Sequence, residues 1–373
     1  FSRARLHPLY GLPRIALNYA KEVFMALFRV GIIGCGRPRH EAGATGYGMS
    51  HAHAKGYEAS PDAAIVALAD INLENARAFQ REHGGERIYA DYQEMLAKER
   101  LDIVSVCTWP HLHAPMVIAA AEAGVRAIHC EKPMAPTWGE ARRMAQVCAE
   151  RGVQLTFNHQ RRFGEPFRKA KELLEAGMIG PLARIEANCD NLFDWGTHWF
   201  DMMFFFNGEA PAEWVLGQIE SRGGHEIFGV FVEKQGLALV RFQNGAYGVM
   251  ATGDLPGWGP AIRLVGAEGV IEIGVNREVH LRCWNTARPG WQVVPTAEGL
   301  HGENCVKRGV LDLIEALKTG REPELAARKA LQATELIFAA YESARLRARV
   351  DLPLTIEDSP LLTMLMEGVI SAT

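Results

Sequence analysis

No apolar run in this 373-residue chain approaches the ~18 residues of a membrane-spanning helix; Met202-Met203-Phe204-Phe205-Phe206 is far too short. Basic charge is not in surplus either. Forty Lys and Arg against 44 Asp and Glu leave a net charge of -4, without the basic stripe that a nucleic-acid footprint requires. The 7 cysteines, at 35, 107, 130, 148, 189, 283 and 305, are scattered, odd in number and form no C-x-x-C. That disfavours a disulfide framework, leaves no metal-ligand spacing, and points to a reduced cytoplasmic setting with no bound metal. Internal repeats, low-complexity segments and charge runs are missing, so there is little sign of a flexible linker.

What is present reads as a soluble globular protein. With 48% hydrophobic and 23% charged residues the length suffices for two domains, each with its own core. Residues 1–24 carry Arg3, Arg5, Arg14 and Lys21 and have no continuous apolar segment of the secretory kind. Met25-Ala26-Leu27-Phe28-Arg29 then leads directly into a strand pattern. Met25 is therefore read as the natural start and residues 1–28 as an extension outside the fold, the alternative being an arm that packs on a partner subunit.

From 29 to 157 strand-like and helix-like segments alternate. The strand-like runs 29–34, 64–69, 102–107, 125–130 and 153–157 are continuous and apolar, as parallel strands covered on both faces require. Helix patterns at 50–58, 73–83, 92–100, 114–123 and 137–151 lie between them. This predicts a doubly wound parallel sheet. A helix at 165–176 follows, then strand-like stretches at 183–188, 213–219, 227–233, 237–243, 246–252, 261–265, 270–273 and 279–284. A helix-like insertion, 195–206, interrupts them, and two long helix patterns, 301–318 and 324–346, close the series. Residues 158–354 thus predict an α+β domain on a largely antiparallel sheet, with 355–373 as a tail.

The first strand runs into Gly34-Cys35-Gly36, the first two glycines of a G-x-G-x-x-G turn that lets a pyrophosphate approach the backbone. The third position is Arg39, and residues 37–48 intervene before the helix. A helix N-terminus can still face the pyrophosphate from about Gly46 to Ser50, with Arg37, Arg39 and His40 near the mouth to clamp a phosphate or reach a substrate. Asp70 ends the second strand, where a carboxylate accepts hydrogen bonds from ribose hydroxyls and repels a 2′-phosphate. Ile71 and Asn72 beside it offer no arginine, so NAD is expected rather than NADP. Asp70 as N-cap of the next helix is the plain alternative.

Lys132, in Glu131-Lys132-Pro133, leaves the C-terminal edge of a parallel strand, where ligands of open α/β sheets bind. A lysine there can stabilise developing alkoxide charge. Asp194 and His198 are four apart and share a face if helical. His198 can serve as a general base, with Asp194 orienting it or holding a substrate hydroxyl. The structural alternatives are a surface lysine, a histidine capping a buried turn and an aspartate that only caps a helix; Asp201 reads as structural.

Gly34-Cys35-Gly36, His53-Ala54, Thr108 with His113, Glu131-Lys132-Pro133, Asn158 with Arg161-Arg162, and Asp194-x-Gly-x-His198-x-x-Asp201 together resemble the glucose–fructose oxidoreductase / inositol dehydrogenase family. The closing Ala339-Ala340-Tyr341-Glu342-Ser343-Ala344-Arg345 and Val350-Asp351-Leu352-Pro353-Leu354 extend the resemblance over about residues 29 to 354. It implies a Rossmann domain, a second domain with an open sheet, and a homodimer or homotetramer formed through that sheet. It implies NAD(P)-linked chemistry on a sugar, cyclitol or polyol, with Lys132, Asp194 and His198 as the active-site set and Pro133 as a proline often cis. It marks Gly34, Cys35, Gly36, Asp70, Thr108, Trp109, His113, Glu131 and Lys132 for the cofactor, and Asn158, Arg162, Asp194 and His198 for substrate. Trp109 stands where the family has a proline, to stack on the nicotinamide or simply to pack. Arg161 and Arg162 read equally as ligand contacts or as a solvated helix start. A redox-cycling NAD-dependent glycosidase and a nonenzymatic NAD or sugar sensor are the competing functions.

Overall fold

The computed structural model describes residues 27–253, 259–302 and 304–372; the extension read at 1–28 lies almost wholly outside them. Six parallel strands form the first sheet: β1 (Phe28–Ile33), β2 (Ala63–Ala69), β3 (Arg87–Tyr89), β4 (Ile103–Val106), β5 (Ala127–Cys130) and β6 (Gln154–Phe157). Their order is β3-β2-β1-β4-β5-β6, the doubly wound arrangement, with a switch point between β1 and β4. Crossing helices are α1 (Met49–Glu58), α2 (Leu73–His83), α3 (Tyr92–Lys98), α4 (Pro110–Glu122) and α5 (Trp138–Glu150). Asn72, Asp91 and Thr137 start α2, α3 and α5 by accepting backbone N–H bonds, as N-cap residues do. Val30 and Ile32 point to one face of β1 and Ile33 to the other, and all are buried, which accounts for the unbroken apolar run.

A 3-10 turn (Gln160–Phe163) and α6 (Glu165–Glu175) lead to β7 (Leu182–Cys189) and α7 (Gly196–Phe206). Next come β8 (Ala212–Glu220), a hairpin of β9 (His225–Ile227) and β10 (Val230–Val232), β11 (Gln235–Phe242) and β12 (Tyr247–Thr252). β13 (Ile262–Gly266), β14 (Gly269–Ile273), β15 (Leu281–Asn285), β16 (Gln292–Val293), α8 (Cys305–Thr319), α9 (Ala327–Leu346), β17 (Val350–Asp351) and α10 (Pro360–Met366) complete the chain. The nine-stranded sheet has the order β16-β15-β14-β13-β7-β12-β11-β8-β17. Every pairing in it is antiparallel except β7 with β12. Its inner face packs on α7 and α9, where Gly217 is obligatory: a Cβ there would stand 2.7 Å from the Ala340 carbonyl. The outer face carries a ladder of Arg184, Glu186, Arg263, Glu272 and Arg282, then exposed Leu216 and Leu237.

Three of the differences from the sequence reading bear on the packing. The single strand expected at 227–233 is instead a hairpin turning at Phe228-Gly229. Helix α8, expected among the second domain's elements, packs Val310, Leu313 and Ile314 on the first domain, against α1 and β5. Gly56 permits that approach, since a Cβ there would meet Val310 at 2.5 Å. Finally, 355–373 is not a loose tail. Leu361 and Met364 of α10 are buried, and Arg345 binds Asp358. All 7 cysteines are free thiols, and no helix among the described residues is long and apolar enough to cross a membrane.

Candidate active site

The C-terminal ends of β1 and β4 open a cavity of about 280 Å³ at the switch point. Gly36, Arg37 and residues 45–50 form one wall; Cys107, Thr108 and Trp109 form another. Glu131, Lys132, Gln160, Arg161, Asp194, His198, Phe228 and His301 complete it.

Gly34 must be glycine: its φ is 88°, and a Cβ would lie 2.7 Å from the Cys107 carbonyl. At Gly36 a Cβ would meet nothing within 4 Å, so its backbone borders open space. Asp70 pins the turn from behind, accepting the Cys35 N–H at 2.8 Å and the Asn72 N–H at 2.7 Å. Burial lifts its carboxyl above the usual range against these two donors. Asn72, not Asp70, caps α2. The inserted loop holds itself: Arg37 donates to Asn75 Oδ1 and to the Ala42 carbonyl, and Arg39 stacks 4.6 Å over the Tyr47 ring. His40 is exposed and does not line the cavity. Gly46 to Ser50 do line it, with α1 starting just past Gly48.

The Lys132–Pro133 peptide is cis. His113 is buried behind that turn, one ring nitrogen on the Pro133 carbonyl at 2.9 Å and the other on the Thr108 carbonyl at 3.1 Å. It braces two cavity walls without reaching the cavity. Glu131 Oε1 accepts from Asn158 Nδ2 at 2.7 Å and pairs with His53 Nε2 at 2.8 Å. Burial alone would raise the Glu131 carboxyl; His53, Asn158 and Lys132 outweigh it and hold it below its usual value. Asn158 is thus a support of Glu131 rather than part of the cavity wall.

Lys132 Nζ donates to Asp194 Oδ1 at 2.7 Å and to the Asp194 carbonyl at 3.2 Å. The two side chains are 17% and 5% exposed, so the pair is largely desolvated. The Asp194 N–H donates to Asn191 Oδ1, and the neighbouring Leu192 N–H to Glu233, whose other oxygen receives the Tyr341 hydroxyl. Helix α7 begins at Gly196, past Asp194, with Trp195 at its N-cap and no side-chain cap bond. The expected helical pairing of Asp194 with His198 is therefore replaced by Asp194 with Lys132. His198 is buried in the first turn of α7, and burial, then the charges of Arg161 and Lys132, hold its pKa well below the usual 6.5. Its imidazole is neutral at physiological pH, and Nδ1 makes no hydrogen bond.

Arg162 points away from the cavity. It is fully buried and binds both Asp201 oxygens at 2.8 Å, Glu209 at 2.5 Å and Glu324 at 3.1 Å, so it and Asp201 are structural. Arg161 is the arginine that lines the cavity, lying 4.5 Å over the Trp199 ring and donating to the Leu300 carbonyl. Burial lowers its pKa to about 10. Neither arginine is a solvated helix start. His301 also lines the cavity, edge-on to Trp195 at 5.7 Å, because α8 begins only at Cys305.

Residues 28–159 match the model of the GFO/IDH/MocA oxidoreductases, NAD-binding Rossmann fold, and residues 191–352 match its C-terminal alpha/beta domain. The chain belongs to the GFO/IDH/MocA oxidoreductase family. Within this family it is 28% identical over 381 residues to D-apiose dehydrogenase of Paraburkholderia graminis, covering 92% of this chain and 94% of that protein. It is 28% identical over 260 residues to myo-inositol 2-dehydrogenase of Thermotoga maritima, covering 65% and 74%. The WlbA dehydrogenase of Bordetella pertussis, solved with NADH and UDP-GlcNAcA, superposes with a TM-score of 0.71 at 25% identity over 88% of this chain and 100% of that one.

The family's dinucleotide fits the residues present. Gly36 leaves the backbone approachable, Gly34 makes the tight turn, and α1 starts without a side-chain cap at residues that line the same cavity. Gly34 to Gly36, Gly48 to Ser50, Asp70, Thr108 and Trp109 are the residues that would hold it.

Proposed function

We propose that this GFO/IDH/MocA oxidoreductase transfers a hydride between a secondary alcohol of a sugar, cyclitol or related polyol and NAD. The observation that carries the reading is one cavity lined by the glycine turn, by a lysine ammonium fixed on Asp194, and by a histidine that burial keeps neutral. A neutral imidazole accepts the proton of the reacting hydroxyl, and the Lys132 ammonium stabilises the oxygen as negative charge develops. Asp194 orients that ammonium. The dinucleotide, when bound, supplies the hydride acceptor or donor. The Asp70 carboxylate disfavours a 2′-phosphate, which supports NAD over NADP. The names of the relatives, an apiose and an inositol dehydrogenase, support the polyol class. Exposed Leu216 and Leu237 on neighbouring strands support assembly into a homodimer or homotetramer through the outer sheet face.

A panel of sugars, inositols and sugar acids, with NAD and separately NADP, tests the reading. NADH accumulation with at least one polyol is expected. Glycoside cleavage without NADH build-up would replace it by a redox-cycling glycosidase, and tight NAD binding with no turnover on the panel by a sensor.

A further inference from the structure

Behind the glycine turn, on the side away from the alcohol chemistry, α1 and α2 bring three ligand-type side chains together. His51 comes from the first turn of α1, and Glu82 and His83 from the last turn of α2. Their nearest ligand atoms all lie within 4.8 Å of one another. His51 Nδ1 and His83 Nε2 are 2.8 Å apart, and the Glu82 carboxylate spans both, at 3.2 and 3.4 Å.

The partners of the outer ring nitrogens make this arrangement informative. His51 Nε2 faces the Gly36 carbonyl at 3.1 Å, and His83 Nδ1 faces a Glu58 carboxylate oxygen at 2.7 Å. Both partners only accept, so each outer nitrogen is the donor of its ring. The inner nitrogens are left facing each other beneath the Glu82 carboxylate, and no other described group donates to them. Three ligand-type atoms, two ring nitrogens and a carboxylate oxygen, converge on one point.

We infer that His51, Glu82 and His83 form a binding site for a divalent transition-metal ion of the zinc class, seated behind the dinucleotide turn. Two imidazoles and a carboxylate are a known zinc donor set, leaving a fourth position for water. Tetrahedral Zn–N bonds of ~2.0–2.1 Å set the nitrogens about 3.3 Å apart, so the rings need open by only about half an ångström. The outer nitrogens already have the partners that metal-bound histidines use, a carboxylate on one and a backbone carbonyl on the other. Phe79, fully buried, packs against both rings, at 5.0 and 4.7 Å, and holds their planes. Glu82 is 54% exposed, which leaves an entry path. Because His51 also holds the Gly36 carbonyl, the ion would clip α1, α2 and the cofactor turn together.

The test uses the whole chain stripped with chelator, titrated with Zn²⁺ by calorimetry and with Co²⁺ by visible absorption. One ion per chain, tetrahedral-type Co²⁺ bands and a higher Tm with Zn²⁺ are expected. His83→Gln should abolish them. Glu58→Gln, which touches only the outer nitrogen of His83 at an exposed position, should weaken Zn²⁺ binding roughly 10–100-fold while leaving the metal-free Tm unchanged. Failure of the stripped chain to bind either ion would overturn the inference. So would binding that His83→Gln and Glu82→Gln leave intact, or a shared proton between the rings, seen as an imidazolium by ¹⁵N NMR in a chain that binds no metal.

Discussion

Replacing Lys132 by methionine separates two jobs that its ammonium does. Methionine keeps much of the aliphatic length and removes the charge. Loss of a group that stabilises the oxygen as charge develops costs roughly 10²–10³-fold in kcat, or about 3–4 kcal/mol of barrier. The same change strips Asp194, 5% exposed, of its counter-ion. Breaking a fully buried pair costs ~3–5 kcal/mol; because Lys132 is 17% exposed, solvent reduces this to about 2–3 kcal/mol, a fall in Tm of roughly 3–4 °C for a chain of this length. The double variant Lys132→Met with Asp194→Asn removes the orphaned charge. It should recover most of the Tm and none of the turnover. NADH absorbance with the best polyol of the panel and thermal unfolding of all four forms complete the cycle. A Lys132→Met enzyme within about tenfold of the parent kcat, or a double variant that regains turnover, would refute the assignment.

The two glycines of the turn should respond in opposite ways. Gly34→Ala, at φ 88° and against the Cys107 carbonyl, should lower stability by more than ~1 kcal/mol, whereas Gly36→Val should keep the parent Tm and lose NAD binding in a fluorescence titration. Arg162→Ala should be among the most damaging single changes, ~3–5 kcal/mol in denaturant unfolding, since it abandons Asp201, Glu209 and Glu324 together. Burial depresses His159 to about 4 and His198 well below 6.5, so the unfolded chain takes up protons first and stability should fall as pH drops from ~6.5 toward ~4. His159 alone accounts for about 3 kcal/mol over that window, read by unfolding at several pH values, and His159→Gln should flatten the slope; with His198 held well below 6.5, kcat/KM should show no inflection near that pH.

What was legible in the sequence was what local chemistry decides. Continuous apolar runs marked five of the six parallel strands, and β3 escaped because three residues at a sheet edge carry too little pattern. Lys132, Asp194 and His198 do share one cavity. Their pairing was not legible, since it depends on where α7 starts: one turn earlier and Asp194 would have faced His198. Arg161 and Arg162 could not be told apart for the same reason, as adjacent residues on a tight turn point to opposite sides. His301 looked like the first residue of a helix, and only the extra turn before Cys305 carries it into the cavity. The His51, Glu82, His83 group has no metal-ligand spacing because its members come from two helices separated by β2.

The rim of the cavity shows why the substrate itself leaves no motif. Tyr47 of the inserted loop meets Phe228 of the β9–β10 hairpin edge-on at 5.9 Å, so the two domains touch across the mouth. Phe228 has φ 50° and Gly229 φ 74°, the two left-handed residues of a type I′ turn. A bulky side chain in the first of those positions costs roughly 1–2 kcal/mol where asparagine or glycine would be nearly free. Folding alone gives no reason for that choice, and the ring it presents forms part of the cavity wall. In the proposed reaction the proton groups are common to any secondary alcohol. Discrimination among polyols then falls to contacts of this kind, each worth ~1–3 kcal/mol. They come from an insertion and a hairpin tip, where spacing and periodicity carry no information about which ring will fit.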